Sequence, residues 1–223
     1  MHLYIIPTPI GNLEDITLRA LRLLKEVDFV LCEDTRTTQN LLKHYGIQQR
    51  CVAYHIYNEH KQLTSLLRHI QQSQSVALVS DAGTPSISDP GFLLIREAIA
   101  QGIRIETLPG ATALVPALVN SGLPSDAFFF NGFLPHKKGK QTILQKMAAM
   151  ECTTIFYESP HRLPKTLEMM LPIFGEDRSV AISRELTKVY EENFRGTLKD
   201  AIDHFKEGTL KGEIVVCVGK QKD

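Results

Sequence analysis

Residues 80–91 concentrate side chains that could bind a ligand or take part in a reaction. The segment, SDAGTPSISDPG, contains two carboxylates, several hydroxyl groups, two glycines and two prolines. This is more turn chemistry than an ordinary connection between a strand and a helix requires. The apolar run before it predicts a buried strand, and the periodicity after it predicts a helix. Because ligands bind at the loops that follow the carboxyl ends of strands in α/β sheets, we predict that this segment lines the active site.

Five further polar segments follow predicted strands. Taken singly, they could be a tight turn, helix starts capped by residues such as Asp34 or Thr35, or a surface salt-bridge cluster. Taken together, they favour one polar site at the carboxyl ends of the strands. The segments are residues 7–12 (PTPIGN), 32–36 (CEDTR), 108–113 (LPGATA), 156–162 (FYESPHR) and 183–188 (SRELTK).

Several classes of site lack their sequence signatures. The chain has neither a GxGxxG dinucleotide fingerprint nor a GxxxxGK[ST] phosphate loop, which disfavours a dehydrogenase. It also has no convincing metal-ligand set, no Cys–His pairing and no Gly-x-Ser-x-Gly nucleophile elbow. A covalent or metal-dependent mechanism therefore lacks its parts, and we predict a site that places two bound molecules against each other.

Composition predicts a globular cytoplasmic enzyme. The 223 residues carry 25 Lys plus Arg against 25 Asp plus Glu, so bulk charge does not favour coating nucleic acid, although a local basic patch remains open. The four cysteines are scattered and form no CxxC pair, which makes a zinc site improbable. We find neither a signal peptide nor an apolar run of membrane-spanning length.

Alternating strand and helix signals in the first half predict a mostly parallel sheet that is covered by helices on both faces. The pattern of strand and helix signals changes at residues 122–124 (GLP). Residues 132–140 (GFLPHKKGK) are typical of a linker or an exposed basic loop. We therefore predict two α/β domains, residues 1–122 and 123–223, with a cleft between them.

Six of these segments together resemble the ribosomal RNA small subunit methyltransferase I family of the tetrapyrrole methylase superfamily, with similarity from about residue 4 to about residue 219. The resemblance implies two α/β domains of the class III methyltransferase type, usually in a homodimer, with S-adenosylmethionine in the interdomain cleft. It also implies 2′-O-methylation of a cytidine ribose in the decoding region of small-subunit (16S) rRNA. Many longer members of the family have a C-terminal extension beyond the point where this chain stops. The segments are residues 8–17, 32–36, 80–91, 109–113, 132–135 and 156–162.

The resemblance also implies a set of cofactor contacts. For the loop carboxylate Asp81, two roles stay open, since it could touch the cofactor or hold amides of its own loop. The expected contacts are Pro7, Asp81, Gly83, Thr84, Ile87, Thr112, Ala113, Tyr157, Leu186 and Glu213.

A ribose hydroxyl is a very weak acid, so methyl transfer to it needs a general base or an electrostatic helper. We favour Glu158 or His161 because both stand beside Arg162, which could hold a phosphate. Further candidates for the base are Glu33, Asp34 and Glu185.

RNA binding is predicted at basic residues, with Phe133 or Tyr157 available for base stacking. The lysine cluster could instead be a solvated linker. Two other functions stay open: methylation of a tetrapyrrole, which would need a larger apolar cleft without a basic rim, and a non-catalytic RNA-binding assembly factor. The basic residues are Arg36, Lys137, Lys138, Lys140 and Arg162.

Overall fold

The computed structural model describes residues 1–54, 59–136, 138–206 and 210–221, with the backbone alone at residues 59–62. The chain forms two compact units, unit 1 (Met1–Thr112) and unit 2 (Ala113–Asp223). The sequence placed the division ten residues later, after the helix that begins unit 2 in the structure.

Unit 1 alternates strands and helices, as predicted. Its elements are β1 (His2–Ile5), α1 (Leu18–Glu26), β2 (Phe29–Cys32), α2 (Thr35–His44), β3 (Cys51–Ala53), α3 (Glu59–Gln71), β4 (Ser75–Leu78), α4 (Phe92–Ala100) and β5 (Arg104–Thr107), with a 3-10 turn at Leu13–Asp15.

The sheet of unit 1 has the order β3-β2-β4-β1-β5, and every neighbouring pair is parallel. Successive residues of a strand enter different cores, because side chains alternate between the two faces of a sheet. Leu3 and Ile5 lie in the core that contains residues of α3 and α4, whereas Ile6 lies in the core that contains residues of α1 and α2. The prediction of a parallel sheet with helices on both faces is confirmed.

Two predicted helix caps are present in unit 1. The Thr17 side chain accepts a hydrogen bond from the backbone amide of Ala20 at the start of α1. The Asp34 side chain accepts one from the amide of Arg36 at the start of α2. Each cap satisfies a backbone donor that has no partner within the helix.

Unit 2 begins with a helix and has a mixed sheet. Its elements are α5 (Leu114–Ser121), β6 (Phe128–Phe133), α6 (Lys140–Ala148), β7 (Thr153–Glu158), α7 (Leu163–Phe174), β8 (Ser179–Arg184), β9 (Glu192–Thr197), α8 (Leu198–Phe205) and β10 (Ile214–Val218).

The sheet of unit 2 has the order β6-β7-β10-β8-β9. β6 is parallel to β7, while β7, β10, β8 and β9 pair antiparallel in turn. One face packs against α6, α7 and α8 in a core that includes Phe156, and α5 packs against the sheet without contributing to that core. The sequence did not predict β9. In the described part of the chain, no helix combines the length and the apolar character needed to cross a bilayer.

Candidate active site

The loops that follow β1, β4 and β5 are tied together by hydrogen bonds. Thr8 and Gly83 exchange both of their backbone hydrogen bonds at 2.9 Å, and the Thr8 hydroxyl donates to the Ser80 carbonyl at 3.0 Å. The Thr84 hydroxyl donates to the Ala111 carbonyl at 3.0 Å. The predicted convergence of strand-end loops is therefore present within unit 1.

Asp81 links the loop after β2 to these hydrogen-bonded loops. The Asp81 carboxylate accepts a hydrogen bond from the backbone amide of Asp34 at 3.1 Å. The predicted structural role was to hold amides of its own loop, whereas this contact holds an amide of the loop after β2. A cavity of about 440 Å³ opens beside the contact, and it is lined by Glu33, Asp34, Thr35, Arg36, Ala53 and Asp81.

Two groups in this region are poorly suited to catalysis at neutral pH. Hydrogen bonds from the Arg36 side chain and amide lower the pKa of Asp34 to about 2, which makes it a weak general base. Burial raises the pKa of the Cys32 thiol to about 12, so a reactive thiolate is disfavoured there.

The predicted cofactor contacts of unit 1 lie in the tied loops or next to them. Pro7 is buried and packs so closely on Gly110 that a Cβ added there would lie 2.8 Å from the Pro7 Cβ. Ile87 is 40% exposed in the long loop. Its neighbours Ser86 and Ser88 both have left-handed backbone conformations, with φ of 75° and 64°, which are costly for residues other than glycine and are common at ligand sites.

In unit 2, backbone hydrogen bonds hold the segment around Leu186 against Glu213. The amide of Glu185 donates to the Glu213 carbonyl at 2.9 Å, and the amide of Glu213 donates to the Glu185 carboxylate at 2.9 Å. Lys188 forms ion pairs with both carboxylates, at 2.7 Å and 3.0 Å. Glycine is required at position 212, because its φ is +92° and an added Cβ would lie 2.3 Å from Glu185.

These contacts leave Glu185 a weak candidate for the base. Burial alone would raise the pKa of Glu185, but hydrogen bonds from Lys188 and from the amide of Glu213 outweigh it, and the pKa lies below its usual value. A carboxylate stabilised in its ionised form takes up a proton less readily.

The carboxylate of Glu158 is the centre of a buried charge network. Its Oε1 pairs with Arg162 Nη2 at 2.6 Å and accepts from the Ser159 amide at 2.8 Å. Its Oε2 pairs with Lys140 Nζ at 2.9 Å and accepts from the Thr166 hydroxyl at 2.7 Å. Lys140 also donates to the Thr166 hydroxyl. Both oxygens are occupied, and Glu158 is 1% exposed.

This network changes the roles predicted for three residues. Lys140 was predicted to bind RNA, but it is 7% exposed and its ammonium group is paired with Glu158, so it does not present its charge to a polyanion. Glu158 was a favoured base, and its paired, buried oxygens argue against that role. Arg162 was predicted to hold a phosphate, but its Nη2 pairs with Glu158 and its Nη1 donates to the Leu134 carbonyl. The geometry instead gives all three residues the task of positioning the surrounding segments.

Leu186 is buried, and three other predicted residues of unit 2 are more accessible. His161 and Lys138 are exposed, and Tyr157 is half-buried against the rings of Phe130 and Phe133. In unit 1, the Arg36 side chain is 86% exposed and paired with Asp34. Lys137 lies outside the described residues.

Sequence reasoning missed Thr166, although a signal was present. The buried face of α7 consists of Leu163, Thr166, Leu167, Met170 and Phe174. A single hydroxyl in an otherwise apolar stripe indicates a buried polar partner, because buried polar groups are nearly always hydrogen-bonded. Within the described residues, no group of three or more His, Cys, Asp or Glu side chains could hold a metal ion.

Comparison with known sequences defines the family. Residues 2–202 match the family described as Tetrapyrrole (Corrin/Porphyrin) Methylases. The Ribosomal RNA small subunit methyltransferase I of Mesorhizobium japonicum is 53% identical over 219 residues, which cover 97% of this chain and 74% of that protein. The protein of the same name from Thermotoga maritima is 45% identical over 220 residues, which cover 98% of this chain and 99% of that protein.

Solved structures agree on the fold. Diphthine synthase superposes with a TM-score of 0.76 at 14% identity, covering 98% of this chain and 90% of that one. Uroporphyrin-III C-methyl transferase from Thermus thermophilus, complexed with S-adenyl homocysteine, superposes with a TM-score of 0.69 at 20% identity, covering 97% of each chain. The fold is therefore that of the class III methyltransferases, and the chain belongs to the tetrapyrrole methylase family and, within it, to the ribosomal RNA small subunit methyltransferase I family.

The Glu158 network generates a prediction about stability. Glu158→Gln leaves the buried Lys140 and the partly buried Arg162 without a carboxylate, and we expect it to lower the free energy of unfolding by about 3–5 kcal/mol. Lys140→Met should cost distinctly less, because Glu158 keeps Arg162 as its partner. The matched control is Lys146→Met on the exposed side of α6, which should change stability by no more than about 0.5 kcal/mol.

Urea denaturation followed by circular dichroism measures these differences, since the chain has no tryptophan. The network as described would be contradicted if Lys140→Met lowered the free energy of unfolding as much as Glu158→Gln. It would also be contradicted if Glu158→Gln lowered it no more than the control.

Proposed function

We propose that this chain transfers a methyl group from S-adenosylmethionine to the ribose 2′-hydroxyl of a cytidine in 16S rRNA. The observation that carries the proposal is 45–53% identity, over 97–99% of the chain, to relatives named Ribosomal RNA small subunit methyltransferase I. A homodimer and a cytoplasmic location accompany the proposal as predictions from the family.

The chemistry of the long loop fits this cofactor. Residues 80–91 include two aspartates and no Lys or Arg, which suits a cationic sulfonium and an ammonium group better than a phosphate. The residues proposed to hold the cofactor are Pro7, Gly83, Thr84, Ile87, Thr112, Ala113, Tyr157, Leu186 and Glu213. Once bound, the sulfonium supplies an activated methyl group, whose C–S bond breaks as the bond to the ribose oxygen forms.

The proton of the ribose hydroxyl must pass to a base of this chain or to water. Of the five candidate bases, Glu158, Asp34 and Glu185 are held in ion pairs. The other two candidates are Glu33 at the cavity of unit 1 and His161 in the exposed turn between β7 and α7. Of these two, His161 is the one that the sequence favours. We therefore assign the base to His161, which takes the proton as the ribose oxygen attacks. The rest of the catalytic effect would come from alignment of the two reactants.

The sequence around β6 and α6 supports an RNA substrate. Residues 127–150 contain four lysines and no Asp or Glu, although the chain as a whole is neutral. Of these lysines, Lys140 is buried and paired, and Lys138 and Lys146 are exposed. Exposed lysines in a stretch without acidic residues attract phosphates even when the net charge of the chain is zero.

Labelled methyl transfer tests the function directly. We expect the protein to transfer label from S-adenosylmethionine to small ribosomal subunits or 16S rRNA that lack the modification, and to place it on one cytidine ribose when the product is mapped. Fully modified subunits are the control and should accept no label. Transfer to a tetrapyrrole but not to rRNA, or RNA binding without transfer, would contradict the proposal and favour one of the two alternative functions.

Replacement of His161 tests the assigned base. We expect His161→Ala to lower kcat by about 10²–10⁴-fold, the usual contribution of a general base, with the Kd for S-adenosylmethionine unchanged in calorimetry. His69→Ala, at another exposed histidine, is the matched control and should behave as wild type. Turnover near the wild-type value in His161→Ala would rule out this assignment.

The salt dependence of RNA affinity separates the two lysines. We expect Lys138→Met to reduce the slope of log K against log salt by about 0.7, the value for one phosphate contact on a single strand. Lys140→Met should leave the slope unchanged because its ammonium group is buried against Glu158. Equal slopes for wild type and Lys138→Met would show that Lys138 does not contact phosphate.

A further inference from the structure

The edge strand β6 carries aromatic residues whose register shifts partway along the strand. Phe128 pairs with Thr153 and Phe130 pairs with Ile155 of β7, after which an irregularity leads Phe133 to pair with Tyr157. Without the shift, Phe133 would lie opposite the next residue, Glu158. Since a shift of one residue moves a side chain to the other face of a sheet, the irregularity decides which face Phe133 occupies.

The shift gathers the aromatic side chains on one face. Phe156 packs into the core with α6, α7 and α8, so its neighbour Tyr157 points to the opposite face. The ring centroids of Phe130 and Phe133 lie 4.9 Å and 5.4 Å from that of Tyr157, both in edge-to-face geometry. Gly132 has a φ of +70°, which glycine adopts without strain at a bulge.

We call Phe128, Phe130 and Phe133 the aromatic edge, and Tyr157, which is assigned to the cofactor above, supports the rings of Phe130 and Phe133 from β7. Phe133 is 55% exposed and Phe128 is 43% exposed, so the aromatic edge presents large apolar rings to solvent. A cluster of exposed aromatic side chains marks a binding surface. The acid-free segment of residues 127–150 includes this strand and continues into Lys138, so positive charge lies directly after the rings in the chain.

The buried charge network fixes the end of the aromatic edge. Leu134 is 1% exposed, and its carbonyl accepts a hydrogen bond from Arg162 Nη1 at 3.2 Å. Arg162 is itself held by Glu158. The backbone on the C-terminal side of Phe133 is therefore anchored, and less conformational entropy would be lost when its ring contacts a ligand.

We propose that the aromatic edge is a stacking platform for unpaired bases of the RNA substrate, with Phe133 as its main contact. The inference rests on the proposed function for its choice of ligand. Exposed aromatic rings next to basic side chains are the usual means of binding single-stranded nucleic acid. A second copy of the chain paired along β6 is the other possible occupant, but the bulge at Gly132 interrupts the edge that such pairing would extend.

Binding of a single-stranded oligoribonucleotide that contains 2-aminopurine tests the platform without the need for catalysis. We expect stacking to quench the fluorophore on binding to wild type, and Phe133→Ala to weaken the affinity on the order of tenfold and reduce the quenching. Phe133→Trp should restore both, because it keeps an aromatic face. Phe129→Ala is the matched control: Phe129 lies on the same strand and is 37% exposed, but it pairs with Thr154 and so points to the other face.

Three outcomes would overturn the platform. They are no binding of the oligoribonucleotide by wild type, wild-type affinity in Phe133→Ala, and a loss of affinity in Phe129→Ala equal to that in Phe133→Ala. A change of molecular mass in sedimentation for Phe133→Ala, with its RNA affinity intact, would assign the surface to contact between copies instead. Wild type that binds and quenches the oligoribonucleotide yet transfers no methyl group to small-subunit rRNA would contradict the proposed function and leave the platform supported.

Discussion

A buried carboxylate at the end of β7 is the constraint on which the arrangement of unit 2 depends. Glu158 is 1% exposed, and an unpaired carboxylate in such a place would cost several kcal/mol. Its partners Lys140 and Arg162 come from the starts of α6 and α7. A cation at a helix N-terminus is unfavourable because of the helix dipole. One carboxylate therefore offsets two unfavourable helix starts and fixes both helices relative to β7.

The same constraint extends to the connection between β6 and α6. Arg162 bonds the carbonyl of Leu134 at the beginning of the connection, and Lys140 is held at its end. Lys138 is thus presented from a segment that is anchored on both sides. Glu158, Lys140 and Arg162 are buried or partly buried and paired with one another, which is why the proposed functional groups are the exposed residues near them.

Much of the fold could be predicted because strands and caps leave strong local signals. Continuous apolar runs such as residues 76–79 indicate strands that are buried on both faces, and Thr17 and Asp34 mark helix starts. β9 left no such signal, because its sequence ENFRGT is polar and it lies at a half-exposed edge. The prediction that Lys140 binds RNA was wrong because its charge was given more weight than its position in the apolar periodicity of α6. Its spacing to Leu144 and Met147 matches the buried face of α6.

The candidate site was predictable in its segments but not in its roles. Strand-end position identified the loop of residues 80–91 and the segment of residues 156–162, because it depends only on the order of elements. Whether a carboxylate is a base or a structural partner depends on burial and on residues distant in sequence. The role of Glu158 as a structural partner follows from its hydrogen bonds with Lys140, 18 residues away in the sequence, and with Thr166, eight residues away.

The register of β6 likewise depends on its pairing with β7. A glycine followed by phenylalanine is consistent with a linker as much as with a bulge, and only the pairing decides which face Phe133 occupies. Because a fold does not determine its substrate, the choice of acceptor must come from such local features. In unit 2 the proposed features are the ring of Phe133, the exposed Lys138 and the acid-free stretch of residues 127–150, next to which Glu158 holds Lys140 and Arg162 in ion pairs.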